Sequence, residues 1–149
     1  MDIQDELRAH LKTVSLIGVS IIVSLLIYLG IVEFIRASFR PFRGFASVIN
    51  LQFVRYLFFA LAIVTIILSR ILRQILLRKS VLDDEKAALH RLQRASLVTI
   101  VLAEVPSLLG LILFLMAGLN IDFYFLLFAS LLLVFMYFPR RTGWEEWLK

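Results

Sequence analysis

The sequence has no cysteine, and of its 149 residues only 18% are charged, 3 are proline and 6 are glycine. The lack of cysteine excludes a disulfide-stapled secreted domain, a catalytic thiol and a thiolate metal site. The scarcity of charge, set beside 61% hydrophobic residues and a mean hydropathy of +0.92, excludes a disordered chain. A soluble domain usually carries about 25% charged and roughly 45–50% apolar residues, so the surplus apolar surface here needs lipid. Chemistry-bearing patterns are equally scarce. No Gly-rich phosphate loop, nucleophile elbow, zinc motif or Ser-His-Asp set can be assembled at one membrane face. His10 reads as a surface partner of Glu6 at i, i+4 spacing, and His90 stands in a polar segment. No metal site, cofactor or enzymatic activity is expected from these residues.

What is present is a series of long apolar runs. Twenty uncharged residues, Thr13 to Val32, lie between Lys12 and Glu33; at about 1.5 Å per residue they cover roughly 30 Å, the thickness of a bilayer's hydrocarbon core. The acidic start Met1-Asp2-Ile3-Gln4-Asp5-Glu6, the length of the run and the lack of a small-residue cleavage site argue for a retained helix rather than a signal peptide. A second span is predicted at about 51–72, containing Arg55. A third, 95–118, is uncharged apart from Glu104, and a fourth covers 123–139. The short Gly118-Leu119-Asn120-Ile121-Asp122 connection makes the last two an antiparallel hairpin.

The expectation is an all-α integral membrane protein, a single membrane domain over 1–149 with four transmembrane helices. Its long helices are joined by an inner hairpin at about 73–94, where Ser80 and the acidic Asp83-Asp84-Glu85 suit a helix start. Thr142-Gly143-Trp144-Glu145 has capping-box spacing for a short C-terminal interfacial helix at about 143–149. Trp144 and Trp147 fall on one side of it as interfacial anchors.

Lysine and arginine counts set the expected orientation. With both termini cytoplasmic, 12 basic residues lie inside: Arg8, Lys12, Arg70, Arg73, Arg78, Lys79, Lys86, Arg91, Arg94, Arg140, Arg141 and Lys149. Four lie outside: Arg36, Arg40, Arg43 and Arg55. The net charge of +5 is therefore read as a topology signal that meets anionic headgroups at the inner face, not as a nucleic-acid footprint. The expected location is the bacterial inner (plasma) membrane. The outer run Arg36-Ala37-Ser38-Phe39-Arg40-Pro41-Phe42-Arg43-Gly44-Phe45 interleaves cations with aromatics, as an interfacial segment does.

Glu104 is the ionisable residue deepest in a span, about 15 Å along its helix from Arg94. A carboxylate at that depth must be protonated, paired or turned to water. Pro106 removes the hydrogen bond to the Leu102 carbonyl and is expected to kink the helix. An acid beside a freed carbonyl suits a bound proton or small cation; it equally suits a neutral carboxyl that ties helices together. Leu102-Ala103-Glu104-Val105-Pro106-Ser107-Leu108-Leu109-Gly110-Leu111-Ile112-Leu113 resembles the ion-carrying helix of rotary ATPase c-subunit proteolipids, in which a membrane Glu precedes a Gly-Leu-Ile/Val run. The resemblance implies that Glu104 takes up and releases H⁺ or Na⁺. It covers these twelve residues; the family's Gly-rich packing repeat has no counterpart in the preceding helices, and a further span follows.

Arg55 is expected either to snorkel to the outer interface or to pair with Glu33 at the outer end of span one. Ser20, Ser24 and Tyr28 recur every four residues, as do Thr65 and Ser69, either as a polar stripe or as hydroxyls bonded to their own helix carbonyls. The function expected is that of a small non-catalytic multi-pass protein, an accessory or assembly component of a larger membrane complex, contacting other membrane subunits or copies of itself. The alternative is a proton- or cation-translocating subunit built on Glu104.

Overall fold

The computed structural model describes residues 3–46, 50–77 and 85–138. All of its regular structure there is helical: α1 (Ile3–Ser38), α2 (Leu51–Leu76), α3 (Glu85–Ala117) and α4 (Asn120–Tyr137). Each is long and apolar enough to cross a membrane. The Ser80 cap, the hairpin tip, Pro139 and the C-terminal segment with Trp144 and Trp147 lie outside the described residues.

At 36 and 33 residues, α1 and α3 run well past the apolar cores that announce them, reaching about 50 Å. The flanking charged turns of α1, Arg8 to Lys12, and of α3, Arg91 to Arg94, simply continue the helix, because nothing in them stops it. α3 is the central element, with α4, α2 and α1 each packed on it. Its approach to α4 is close. A Cβ added at Gly110 would lie 3.0 Å from Leu126 Cβ and 3.3 Å from Phe123 Cα. A two-residue connection, Gly118-Leu119, with Gly118 at φ +69°, reverses the chain between α3 and α4.

Two apolar clusters make the core. One joins Val14, Ile21 and Leu25 of α1 to Leu92, Ile100 and Ala103 of α3 and Leu133, Val134 and Tyr137 of α4. The other joins Val32, Phe114 and Phe123. Tyr28 and Leu127 pack against both. Outside these clusters the apolar side chains face outward: Leu16, Phe34, Tyr56 and Phe135 are each about 70% exposed. Water would make such a surface aggregate, whereas hydrocarbon solvates it.

α2 is the most exposed element. Only 6% of its apolar stretch is buried, against 39% for α3 and α4. Its buried residues are Ala62 and Ser69, one heptad apart, where small side chains let two backbones come together. Arg55 and Arg73, 18 residues or five helical turns apart, leave α2 on one side. Both reach α4: Arg55 pairs with Asp122 near its start, and the Arg73 guanidinium stands 5.0 Å from the Tyr137 ring centroid near its end. Two cationic contacts to α4 thus supplement its packing on α3.

The segment after α1 packs on the protein itself. It folds over the end of the bundle, where Phe45 N–H donates to Leu115 O at 2.8 Å and Ala46 N–H to Met116 O at 3.2 Å. Phe42 packs its ring 5.0 Å from Phe114 and 5.1 Å from Phe45. The last carbonyls of α3, which a helix leaves unpaired, are satisfied in this way.

Candidate functional site

The first polar constellation lies in the middle of the bundle. Glu104, half-buried on α3, accepts a hydrogen bond from the Tyr28 hydroxyl of α1, with Oη to Oε1 at 2.6 Å. Tyr28 is the last residue of the Ser20, Ser24, Tyr28 series, so the stripe's α1 face meets the carboxyl at that level. Two residues on, the fully buried Pro106 sits inside α3, which continues through it to Ala117. Proline lacks an N–H and displaces the carbonyl four residues back. At the next residue, Ser107 N–H donates to Ser130 Oγ of α4 at 2.8 Å, and Ser107 Oγ donates to Glu104 O at 2.7 Å. A carboxyl, a phenol, two hydroxyls and a proline thus link three helices within one turn of α3.

Other hydroxyls satisfy themselves locally. Thr65 Oγ1 donates to Leu61 O at 2.8 Å, Ser69 Oγ to Ile66 O at 2.7 Å and Thr99 Oγ1 to Ala95 O at 2.7 Å. Thr65 and Ser69 line no polar path; they follow the back-bonding alternative.

The second constellation lies at the end of the bundle that carries the 39–46 segment. Here the pairing expected of Glu33 with Arg55 is replaced by two others. Arg55 Nη2 donates to Asp122 Oδ1 at 2.7 Å, with the Asp122 side chain 3% exposed and that of Arg55 49% exposed. Glu33 faces Arg36 Nη1 at 3.4 Å and accepts a hydrogen bond from the Tyr124 hydroxyl; Arg36 Nη1 also donates to that hydroxyl at 3.0 Å. The physical reason is the order of the helices. α2 packs on α3, and the carboxylate that Arg55 reaches from there is Asp122, in the first turn of α4.

At the opposite end, the rings of His10 and His90 meet edge to face with centroids 5.1 Å apart. Among the described residues no group of three or more His, Cys, Asp or Glu is placed to hold a metal ion.

Sequence reading singled out Glu104 and Arg55, each of which has a hydrogen-bond partner on another helix, and missed Tyr28 as a ligand of Glu104, Tyr124 as the hinge of the Glu33–Arg36 cluster, and Asp122. For Asp122 a signal existed: an arginine inside an apolar run calls for a carboxylate at the same end, and Asp122 lies there. No protein-family model matches the chain, and no curated protein or solved structure shows significant similarity to it.

Proposed function

We propose that this chain is an integral membrane protein, its four helices spanning the bilayer with both termini in the cytoplasm of a bacterial cell, and that it serves as a non-catalytic accessory or assembly component of a larger membrane complex. The observation that carries the reading is the state of α2. Among four helices of membrane-spanning character it is the one whose apolar stretch is only 6% buried: it packs on α3, is tied to α4 by Arg55 and Arg73, and turns most of its side chains outward. A helix so placed offers most of its surface to the helices of another subunit. The interior polar groups support the same view, since Glu104 with Tyr28, Ser107 with Ser130 and Arg55 with Asp122 each tie one helix to another. The proposal is tested by purifying the tagged full-length chain from native membranes in a mild detergent. A membrane partner at fixed stoichiometry is the expected result; a monodisperse single chain, free of other proteins, overturns it.

A second reading is favoured by one specific observation, the carboxyl of Glu104 at mid-helix beside Pro106. In it, Glu104 carries a proton or cation, as the resemblance to c-subunit proteolipids implies. Glu104→Gln keeps an acceptor for Tyr28 and should leave the fold intact. In vesicles, the translocating reading expects it to abolish flux measured with a pH-sensitive dye, whereas unchanged flux eliminates that reading.

A further inference from the structure

The capped end of the bundle holds an open cleft of ≈ 460 Å³ between the end of α1, the 39–46 segment and the turn joining α3 to α4. One wall is cationic, formed by Arg36 and Arg40 beside Asn120, the first residue of α4. The lining also includes the rings of Phe42 and Phe114. The two arginines differ in what they already hold. Arg36 is positioned by Glu33 and by the Tyr124 hydroxyl, whereas the exposed Arg40 has no hydrogen-bond or ion-pair partner among the described residues. Guanidinium groups of this kind recognise phosphate oxygens through paired N–H donors.

Tyr124 shows what such an anion would be attached to. Its hydroxyl takes the Arg36 hydrogen bond, and its ring borders a shallow groove of ≈ 250 Å³ that it shares with Ile121, Phe125 and Phe128. These residues follow the i, i+3, i+4, i+7 spacing of a single helix face, so the groove runs along α4 away from the cationic cleft. Ile121, Phe125 and Phe128 are each at least 60% exposed. A cationic cleft that leads into an apolar groove has the polarity of a phospholipid. We infer that this corner seats one anionic phospholipid, with its phosphate between Arg36 and Arg40 and an acyl chain along α4 over Phe125 and Phe128. The inference rests on the membrane reading above and is independent of the accessory role.

Full-length protein in mild detergent is titrated with phosphatidylglycerol, phosphatidylcholine or inorganic phosphate, and the lipids it retains are counted by native mass spectrometry. One phosphatidylglycerol should be retained about tenfold in preference to phosphatidylcholine, which carries the same phosphate but adds a choline cation that the arginines repel. Arg40→Gln should remove most of that preference. Arg43→Gln deletes the same charge three residues on, outside the cleft wall, and should change it less than about twofold. Equal loss in the two variants, no preference for the anionic lipid, or displacement of the lipid by inorganic phosphate at comparable concentration overturns the proposal. Flotation of the wild type and both variants with phosphatidylcholine vesicles separates the two levels. Failure of all three to float removes the membrane reading along with the lipid site, and flotation without lipid preference removes the lipid site alone.

Discussion

Replacing Gly44 by alanine should detach the 39–46 segment from the end of the bundle and lower stability by about 3 kcal/mol. Gly44 has φ +89°, a conformation that L side chains rarely adopt, and a Cβ there would lie 2.2 Å from Met116 O and 2.7 Å from Ala117 N. Both contacts are backbone, so no side-chain rotation relieves them. The displaced chain takes with it the bonds from Phe45 and Ala46 to the last turn of α3, which leaves helix carbonyls exposed. Hydrogen exchange in detergent should show the Phe45 and Ala46 amides unprotected in Gly44→Ala. Gly30→Ala is the control: nothing lies within 4 Å of a Cβ at that position, so stability should hold or rise slightly. Retained protection at Phe45 and Ala46 in Gly44→Ala would show that the segment is held by something other than this close approach.

The second large effect is expected at the Arg55–Asp122 strap. Arg55→Met leaves the nearly fully buried Asp122 carboxylate without its cation and should cost about 2–3 kcal/mol, below the value for a wholly buried pair because the Arg55 side chain is half-exposed. Asp122→Asn, which keeps an oxygen acceptor, should cost less. The double variant Arg55→Met with Asp122→Asn removes both charges together and should recover a good part of the loss. Thermal unfolding of the four proteins in the same detergent gives the coupling directly. If the two single changes simply add in the double variant, the strap makes no energetic contribution of its own.

How much of this was legible in advance follows from the kind of information each feature needs. The helices are local: their apolar runs and the Gly118-Leu119 turn declare them, and the described residues contain four helices where four runs stand. The end of α1 was less legible, because a membrane-length criterion stops at the first charge, while α1 continues through Arg8 to Lys12. The partner of Arg55 was not legible. Glu33 and Asp122 stand 22 and 67 residues away along the chain, and spacing along the chain does not say which helix is the neighbour. Tyr28 escaped for the same reason, since a phenol in a series of hydroxyls looks like its companions until a facing carboxyl, 76 residues distant, is placed opposite it.

The sequence by itself determined that the described residues are helical, that the helices are long and apolar enough for a bilayer, and that Glu104 and Arg55, each set in an apolar run, call for partners. Those conclusions rest on periodicity, length and the cost of a charge in hydrocarbon, all of which are properties of a segment. Tertiary structure alone decided that α3 is the central helix, that α2 is strapped to α4 through Asp122 and Tyr137, and that the 39–46 segment closes one end against α3. These depend on which surfaces meet, and in an apolar chain nearly every face is able to pack. The choice among them was made by a few small residues that permit close approach and by polar groups that must find one another.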